Sequence, residues 1–239
     1  MTTPPSPSCG RPWTTEEAWA WRHQHAPFIG YNYVPRTAVN TTEMWQADTF
    51  DPATIAQELA WAGRVGYNTC RVFLQYLVWD ADPEGMIRRL EAFLALAARQ
   101  RQRVMPVLFD DCAFAGREPY LGVQDAPKPG VHNSGWVPSP GLRRVTDRAC
   151  WPRLRQYVQD IVGAFANDDR VLIWDLYNEP GNSRQGARLP LLEAACAWAR
   201  EARPGQPLTV GAWMAYDGVM SRRMRGTLRH RLIPQLRRP

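Results

Sequence analysis

Short apolar runs alternate along this chain with amphipathic segments that carry helix-start signals. The apolar runs have the length and the near-continuous hydrophobicity of strands buried on both faces. Strands that alternate with helices in this way form right-handed βαβ units on a parallel sheet, which predicts an α/β fold. Five runs fit this description: residues 28–33, 68–75, 103–110, 171–178 and 207–213.

The segments between the runs begin as helices usually do. Thr14 and Glu17 have the spacing of a capping box, and an Asp-Pro pair opens two of the later segments. We therefore expect helices from Thr15, Pro52 and Pro83, and a further helix after Thr146 or Asp147. Two architectures fit: an open doubly wound sheet and a (β/α)8 barrel. No G-x-G-x-x-G or P-loop follows any strand, so the nucleotide-binding form of the open sheet has no support.

The charge of the chain is concentrated in one segment. The formal net charge is +6, but residues 221–239 hold seven arginines and no acid, and the rest holds 22 basic and 23 acidic residues. The body of the protein therefore has no excess of positive charge for a nucleic-acid partner. A low-ranking alternative is a nucleic-acid-binding protein that acts through its arginine-rich residues 222–238.

Cysteine usage and hydropathy exclude other classes. The five cysteines are odd in number, widely spaced and without a C-x-x-C pair, so we expect free thiols and neither a disulfide framework nor a metal site. No window approaches a membrane span, and residues 1–13 do not resemble a signal peptide. These features predict a cytoplasmic protein by default, with secretion not excluded, no membrane partner and no cofactor. They do not determine the oligomeric state.

Polar and aromatic side chains follow the predicted strands. Because the carboxyl ends of parallel strands meet at one edge, these side chains should line one site. Amides and carboxylates bind hydroxyl groups, and indole rings cover the apolar face of a sugar, so the expected ligand is a sugar. Several tryptophans, Trp45 and Trp79 among them, fall in predicted loops or strand ends, where a core role is less expected. The candidates, including two from the long connection 111–145, are Asn32, Asp110, His132, Trp136, Glu179 and Trp213.

The stretch WDLYNEPGN, residues 174–182, resembles the fourth-strand signature of the clan A retaining glycosidases. The chain is similar, over roughly residues 28–216, to the cellulase-like and mannanase-like enzymes of glycoside hydrolase family 5. The resemblance implies a (β/α)8 barrel that hydrolyses the O-glycosidic bonds of β-linked glycans by a retaining mechanism. The implied substrate is an oligosaccharide or β-glycoside. It also implies that Glu179 is the general acid/base, that Asn178 binds a sugar hydroxyl and that Arg71 orients the nucleophile.

Each assignment has a structural alternative. Glu179 could be an acid at the start of a helix, because Glu-Pro-Gly after a strand suits a helix N-terminus. Arg71 could be the partner of Asp175 in a buried ion pair. Asp110 could cap a loop rather than contact sugar. A non-catalytic carbohydrate-binding protein that keeps the aromatic rim is the alternative to an enzyme.

One catalytic residue that the resemblance implies has no counterpart in the sequence. The resemblance implies a nucleophilic glutamate at the end of a seventh strand, and no such residue or strand is found in the sequence. Composition changes abruptly near Ser221, and one hypothesis is that a frameshift or truncation has replaced the remaining units. The predicted organisation is a disordered segment 1–13, an incomplete barrel domain 14–216 of about five βα units, and a basic tail 217–239. We expect such a chain to be weakly active at best.

Overall fold

Five parallel strands form a single sheet. A computed structural model describes residues 13–182 and 189–212 of the chain. Within them, the strand order is the chain order, and every neighbouring pair is parallel. The strands are β1 (Gly30–Tyr33), β2 (Thr69–Phe73), β3 (Arg103–Asp110), β4 (Trp174–Asn178) and β5 (Leu208–Gly211).

Helices connect the strands and begin at the predicted signals. Thr14 and Glu17 form a capping box, and Asp51 and Asp82 cap their helices through the amides of Thr54 and Gly85. The α-helices are α1 (Thr15–His25), α2 (Thr41–Trp45), α3 (Pro52–Arg64), α4 (Tyr76–Ala81), α5 (Pro83–Arg99), α6 (Leu142–Thr146), α7 (Trp151–Ala164) and α8 (Leu189–Glu201). The short helices α2, α4 and α6 were not predicted, because fewer than two turns leave no periodic pattern.

The register brings the carboxyl ends of the strands together. Asn32 pairs with Arg71 across β1 and β2, while Asp110 pairs with Asn178 across β3 and β4. Asn178 in turn pairs with Gly211, but the β4–β5 register shifts between Asp175 and Asn178. This irregularity places Asp175 and Asn178, three residues apart, where both contact the same arginine.

One face of the sheet packs against the helices in a large apolar core. Trp45 and Trp79 are fully buried in it, which corrects the expectation that they lie outside the core. They belong to α2 and α4, the short helices that the sequence did not reveal, and these helices turn both indoles inward. A second, smaller cluster contains Phe73, Val107, Cys112 and Trp136 and is separate from this core.

Some segment boundaries in the structure differ from those predicted from the sequence. Strand β4 begins at Trp174 rather than at 171, and Val171 forms only an isolated bridge with Val104. Trp13, predicted to end the disordered segment, is buried and packs against Trp21. Residues 1–12, Trp213 and the basic tail 217–239 lie outside the described residues. No helix in the described part of the chain is both long and apolar enough to cross a bilayer.

These five units make a partial (β/α)8 barrel. The described sheet is open, with β1 and β5 at its two edges. In this fold, the active site lies at the carboxyl ends of the strands, where the loops that follow β1, β3 and β4 meet.

Candidate active site

Residues Glu179 to Asn182 form a tight turn directly after β4. The amide of Asn182 donates to the carbonyl of Glu179 at 3.0 Å, Pro180 occupies the second position, and Gly181 has φ +91° at the third. Proline followed by a residue with positive φ defines a type II turn. The sequence EPGN therefore encodes the reversal that holds the Glu179 side chain at the rim of the sheet.

The backbone of Glu179 is strained and firmly held. Its φ of +46° lies in the left-handed region, which a residue with a Cβ seldom adopts. The Glu179 amide donates to the carbonyl of Gly211 on β5 at 2.7 Å, and the Gly181 amide donates to Asp111 at 2.6 Å. Strain of this kind persists only where the surroundings enforce it, and it is concentrated at functional sites.

Arg71 lies at the centre of a polar network on the sheet. Its Nε and one terminal nitrogen both donate to Oδ2 of Asp175, at 3.0 and 2.5 Å. The same terminal nitrogen donates to Oδ1 of Asn178 at 2.8 Å, and the other contacts Asn32 at 3.4 Å. The ion pair with Asp175 was the predicted alternative for Arg71, and the arrangement places Asn32, Arg71 and Asn178 together as well.

Asp110 fixes the other side of the Asn178 amide. Its Oδ1 accepts from Asn178 Nδ2 at 2.8 Å, and its Oδ2 accepts from the indole of Trp136 at 2.6 Å. Burial raises the pKa of Asp110 to about 6, although these donors act in the opposite direction. Asp110 is therefore buried and orients Asn178, and its role as a sugar ligand stays a prediction.

The long connection after β3 folds back over the site. Asp110 and Ser139 exchange two backbone hydrogen bonds, at 2.7 and 2.9 Å, in an antiparallel bridge. This return brings the Trp136 ring edge-on to Phe73, with the ring centroids 5.2 Å apart. Phe73 also lies under the Arg71 guanidinium, 4.6 Å from its ring centroid. Trp136 thus forms an apolar wall beside the polar network.

In the described part of the chain, the Glu179 carboxylate has two partners that the sequence did not suggest. Its Oε2 accepts from Asn182 Nδ2 at 2.7 Å and from the Cys112 thiol at 3.2 Å. Neither partner is a backbone amide of a helix. The available signals were weak: Cys112 directly follows Asp110 and Asp111 at a strand end, and Asn182 ends the turn that presents Glu179.

One remaining candidate, His132, is not brought into this group. His132 is exposed on the long connection and contacts its neighbour Asn133, in a pocket of about 400 Å³ that also includes Phe114 and Lys128. Trp213 lies outside the described residues. Their roles as sugar ligands stay predictions. Within residues 13–182 and 189–212, no group of three or more acidic, histidine or cysteine side chains could hold a metal ion.

The fold and the site together define an α/β protein with a carboxylate presented at the carboxyl end of a parallel sheet. The structure is similar to a beta-1,4-D-mannanase from Cryptopygus antarcticus, with a TM-score of 0.52 and 14% identity over 78% of this chain and 57% of that enzyme. It is also similar to a glycoside hydrolase family 5 mannosidase from Rhizomucor miehei, with a TM-score of 0.51 and 13% identity over 80% of this chain and 53% of that enzyme.

These similarities establish the fold. The chain has a partial barrel of the glycoside hydrolase family 5 type, and it spans a little over half the length of these two enzymes. The sequence matches no protein-family model, and no curated protein is similar to it in sequence. The predicted fold class and the predicted structural resemblance are confirmed.

Proposed function

We propose that this chain carries the acid/base half of a retaining glycoside hydrolase that acts on β-linked glycans, with Glu179 as the general acid/base. The observation that supports the proposal most is the position of Glu179. It follows β4 at the rim of the sheet, on a strained turn, next to an asparagine that is tied to Arg71. This is where the family resemblance places a proton-donating carboxyl.

The chemistry requires such a group. A glycosidic oxygen is a poor leaving group until it is protonated, and the same carboxylate must later remove a proton from the attacking water. The side chain therefore needs a fixed position on rigid elements. The hydrogen bond from Glu179 N to β5 and the contact of Gly181 with Asp111 supply that rigidity.

Asn178 is the proposed hydroxyl ligand, and its geometry restricts how it could act. Its Nδ2 already donates to Asp110 at 2.8 Å and contacts the Cys112 sulfur at 3.5 Å. A sugar hydroxyl would displace the weaker thiol contact rather than the bond to Asp110. Binding would then leave the Asn178 orientation unchanged, since Arg71 and Asp110 hold the amide from both sides.

A retaining mechanism also needs a nucleophilic carboxylate about 5–5.5 Å from the acid/base. Asp110, Asp111 and Asp175 are the buried carboxylates at the site among the described residues, and all three accept hydrogen bonds. None of them is free to attack an anomeric carbon. We therefore propose that this chain turns over weakly at best.

Hydrolysis of aryl β-glycosides and of β-linked mannan, glucan and xylan oligosaccharides tests the proposal. We expect slow release that Glu179→Gln abolishes and that Glu84→Gln leaves unchanged, since the Glu84 side chain is 91% exposed. Turnover that survives Glu179→Gln would refute the role of Glu179.

A non-catalytic carbohydrate-binding protein is the second candidate. It is favoured by the same occupied carboxylates, because binding needs the Trp136 wall and the amides but no nucleophile. Binding of oligosaccharides without cleavage, weakened by Trp136→Ala, is the outcome that selects it.

A further inference from the structure

The two oxygens of the Glu179 carboxylate are not equivalent in this structure. Within the described residues, both hydrogen bonds to the carboxylate fall on Oε2: one from Asn182 Nδ2 at 2.7 Å and one from the Cys112 thiol at 3.2 Å. Oε2 is thus anchored by two donors, and no hydrogen bond from the described residues falls on Oε1.

The direction of the Cys112 hydrogen bond follows from its other contacts. The side-chain amides of Asn178 and Asn182 both donate to the sulfur at 3.5 Å. Since a thiol has a single proton and its lone pairs face these two amides, the S–H bond points to the remaining neighbour, Oε2 of Glu179. The backbone amide of Cys112 donates to Asp110 at 3.0 Å and fixes the residue from behind.

Cys112 stays a thiol rather than a thiolate. Burial raises the pKa of its thiol, and the nearby carboxylates of Asp110 and Glu179 raise it further, while the Asn182 contact acts in the opposite direction. A permanently protonated donor suits an anchor, because its hydrogen bond persists in both protonation states of its partner.

We propose that Cys112 and Asn182 are positioning residues that hold Oε2 of Glu179, which assigns Oε1 as the oxygen that gives and takes the proton. A proton on Oε2 would point at two hydrogen-bond donors, which is unfavourable. With the proton on Oε1, Oε2 is the carbonyl oxygen and accepts the hydrogen bonds from both Cys112 and Asn182. The inference rests on the proposed acid/base role of Glu179, and it adds which oxygen acts and which residues select it.

Infrared difference spectroscopy tests the anchor without requiring turnover. The spectrum of the wild type minus Cys112→Ala isolates the S–H stretch of Cys112. We expect this band to move to higher wavenumber in Glu179→Gln, because an amide oxygen accepts more weakly than a carboxylate. Cys150 is the matched control: its thiol lies 3.5 Å from the Asp147 carboxylate, and its band should not respond to Glu179→Gln.

The carbonyl band of protonated Glu179 tests the oxygen assignment. At acidic pH, the spectrum of the wild type minus Glu179→Gln isolates this band. If Oε2 is the carbonyl oxygen, Cys112→Ala moves the band upward by removing a donor, and Cys112→Ser returns it toward the wild-type position. The inference is overturned if the carbonyl band keeps its wavenumber in Cys112→Ala, or if the S–H band keeps its wavenumber in Glu179→Gln.

Kinetics separate positioning from a structural role. In a chain that turns over, Cys112→Ala should lower kcat about tenfold with little change in KM, and Cys112→Ser should recover most of the loss. Cys150→Ala should leave kcat unchanged. Absence of turnover in the wild type counts against the proposed function alone, since the two infrared bands still decide the anchor.

Discussion

Arg71 and Asp175 form a buried ion pair in which two guanidinium nitrogens share one carboxylate oxygen, at 3.0 and 2.5 Å. The Asp175 side chain is 1% exposed and that of Arg71 20%. The pair joins β2 to β4 across the intervening strand β3, and the same arginine reaches Asn178. The ion pair therefore links the stability of the sheet to the placement of the residue next to Glu179.

Removal of the Arg71 guanidinium should lower the stability of the fold. Arg71→Met leaves Asp175 buried without its cation, and we expect the free energy of unfolding to fall by about 3 kcal/mol. The double variant Arg71→Met/Asp175→Leu should recover much of this loss, because no uncompensated charge remains. Urea unfolding of the three proteins at neutral pH measures both effects. A loss below about 0.5 kcal/mol in the single variant contradicts the role of the pair.

Asp110 should make stability depend on pH. Its pKa rises from 3.8 to about 6 on folding because the carboxyl is buried. The folded state therefore binds a proton that the unfolded state has released. The contribution of this group to stability is complete below about pH 3.8 and is lost as the pH rises through about 6. We expect a loss of about 2–3 kcal/mol across this interval.

Asp110→Asn provides the comparison, because asparagine does not titrate. The difference in free energy of unfolding, wild type minus variant, should shrink as the pH rises from about 4 to about 7, as measured by urea unfolding at several pH values. A difference that stays constant over this range shows that Asp110 titrates normally.

The parts of the structure that were predictable from sequence are those with local causes. Asp51 and Asp82 cap the helices that their Asp-Pro pairs predicted. Such signals act within four residues of the chain, so they survive in a single sequence.

The parts that were not predictable depend on distant contacts. Cys112 meets Glu179 across 67 positions of the chain, and no local pattern marks a cysteine as the partner of a carboxylate. Trp45 was misjudged for the same reason: its indole donates to the Phe73 carbonyl, 28 positions away, from a helix too short to show a period. The ion pair between Arg71 and Asp175 was predicted only as one alternative, because the sequence does not show which side chains of different strands are in contact.

The left-handed backbone of Glu179 should impose a measurable cost. Its φ of +46° costs a residue with a Cβ about 1 kcal/mol, and glycine avoids this cost. Glu179→Gly and Glu179→Ala both remove the carboxylate, so their comparison isolates the backbone. We expect the glycine variant to be more stable by about 0.5–1 kcal/mol in thermal or urea unfolding. An alanine variant of equal or greater stability is the contrary result.

Substitution by alanine should change the free energy of unfolding in opposite directions at Gly181 and Gly163. Gly181 has φ +91° in the turn, so Gly181→Ala forces a left-handed alanine and should lower the free energy of unfolding by about 1 kcal/mol. Gly163 lies in α7 with open space where a Cβ would stand, so Gly163→Ala should raise the free energy of unfolding by about 0.5 kcal/mol. Urea unfolding of both variants gives the two signs. A Gly181→Ala variant as stable as the wild type would contradict the type II turn as the element that presents Glu179, because the turn is the reason that position 181 needs glycine.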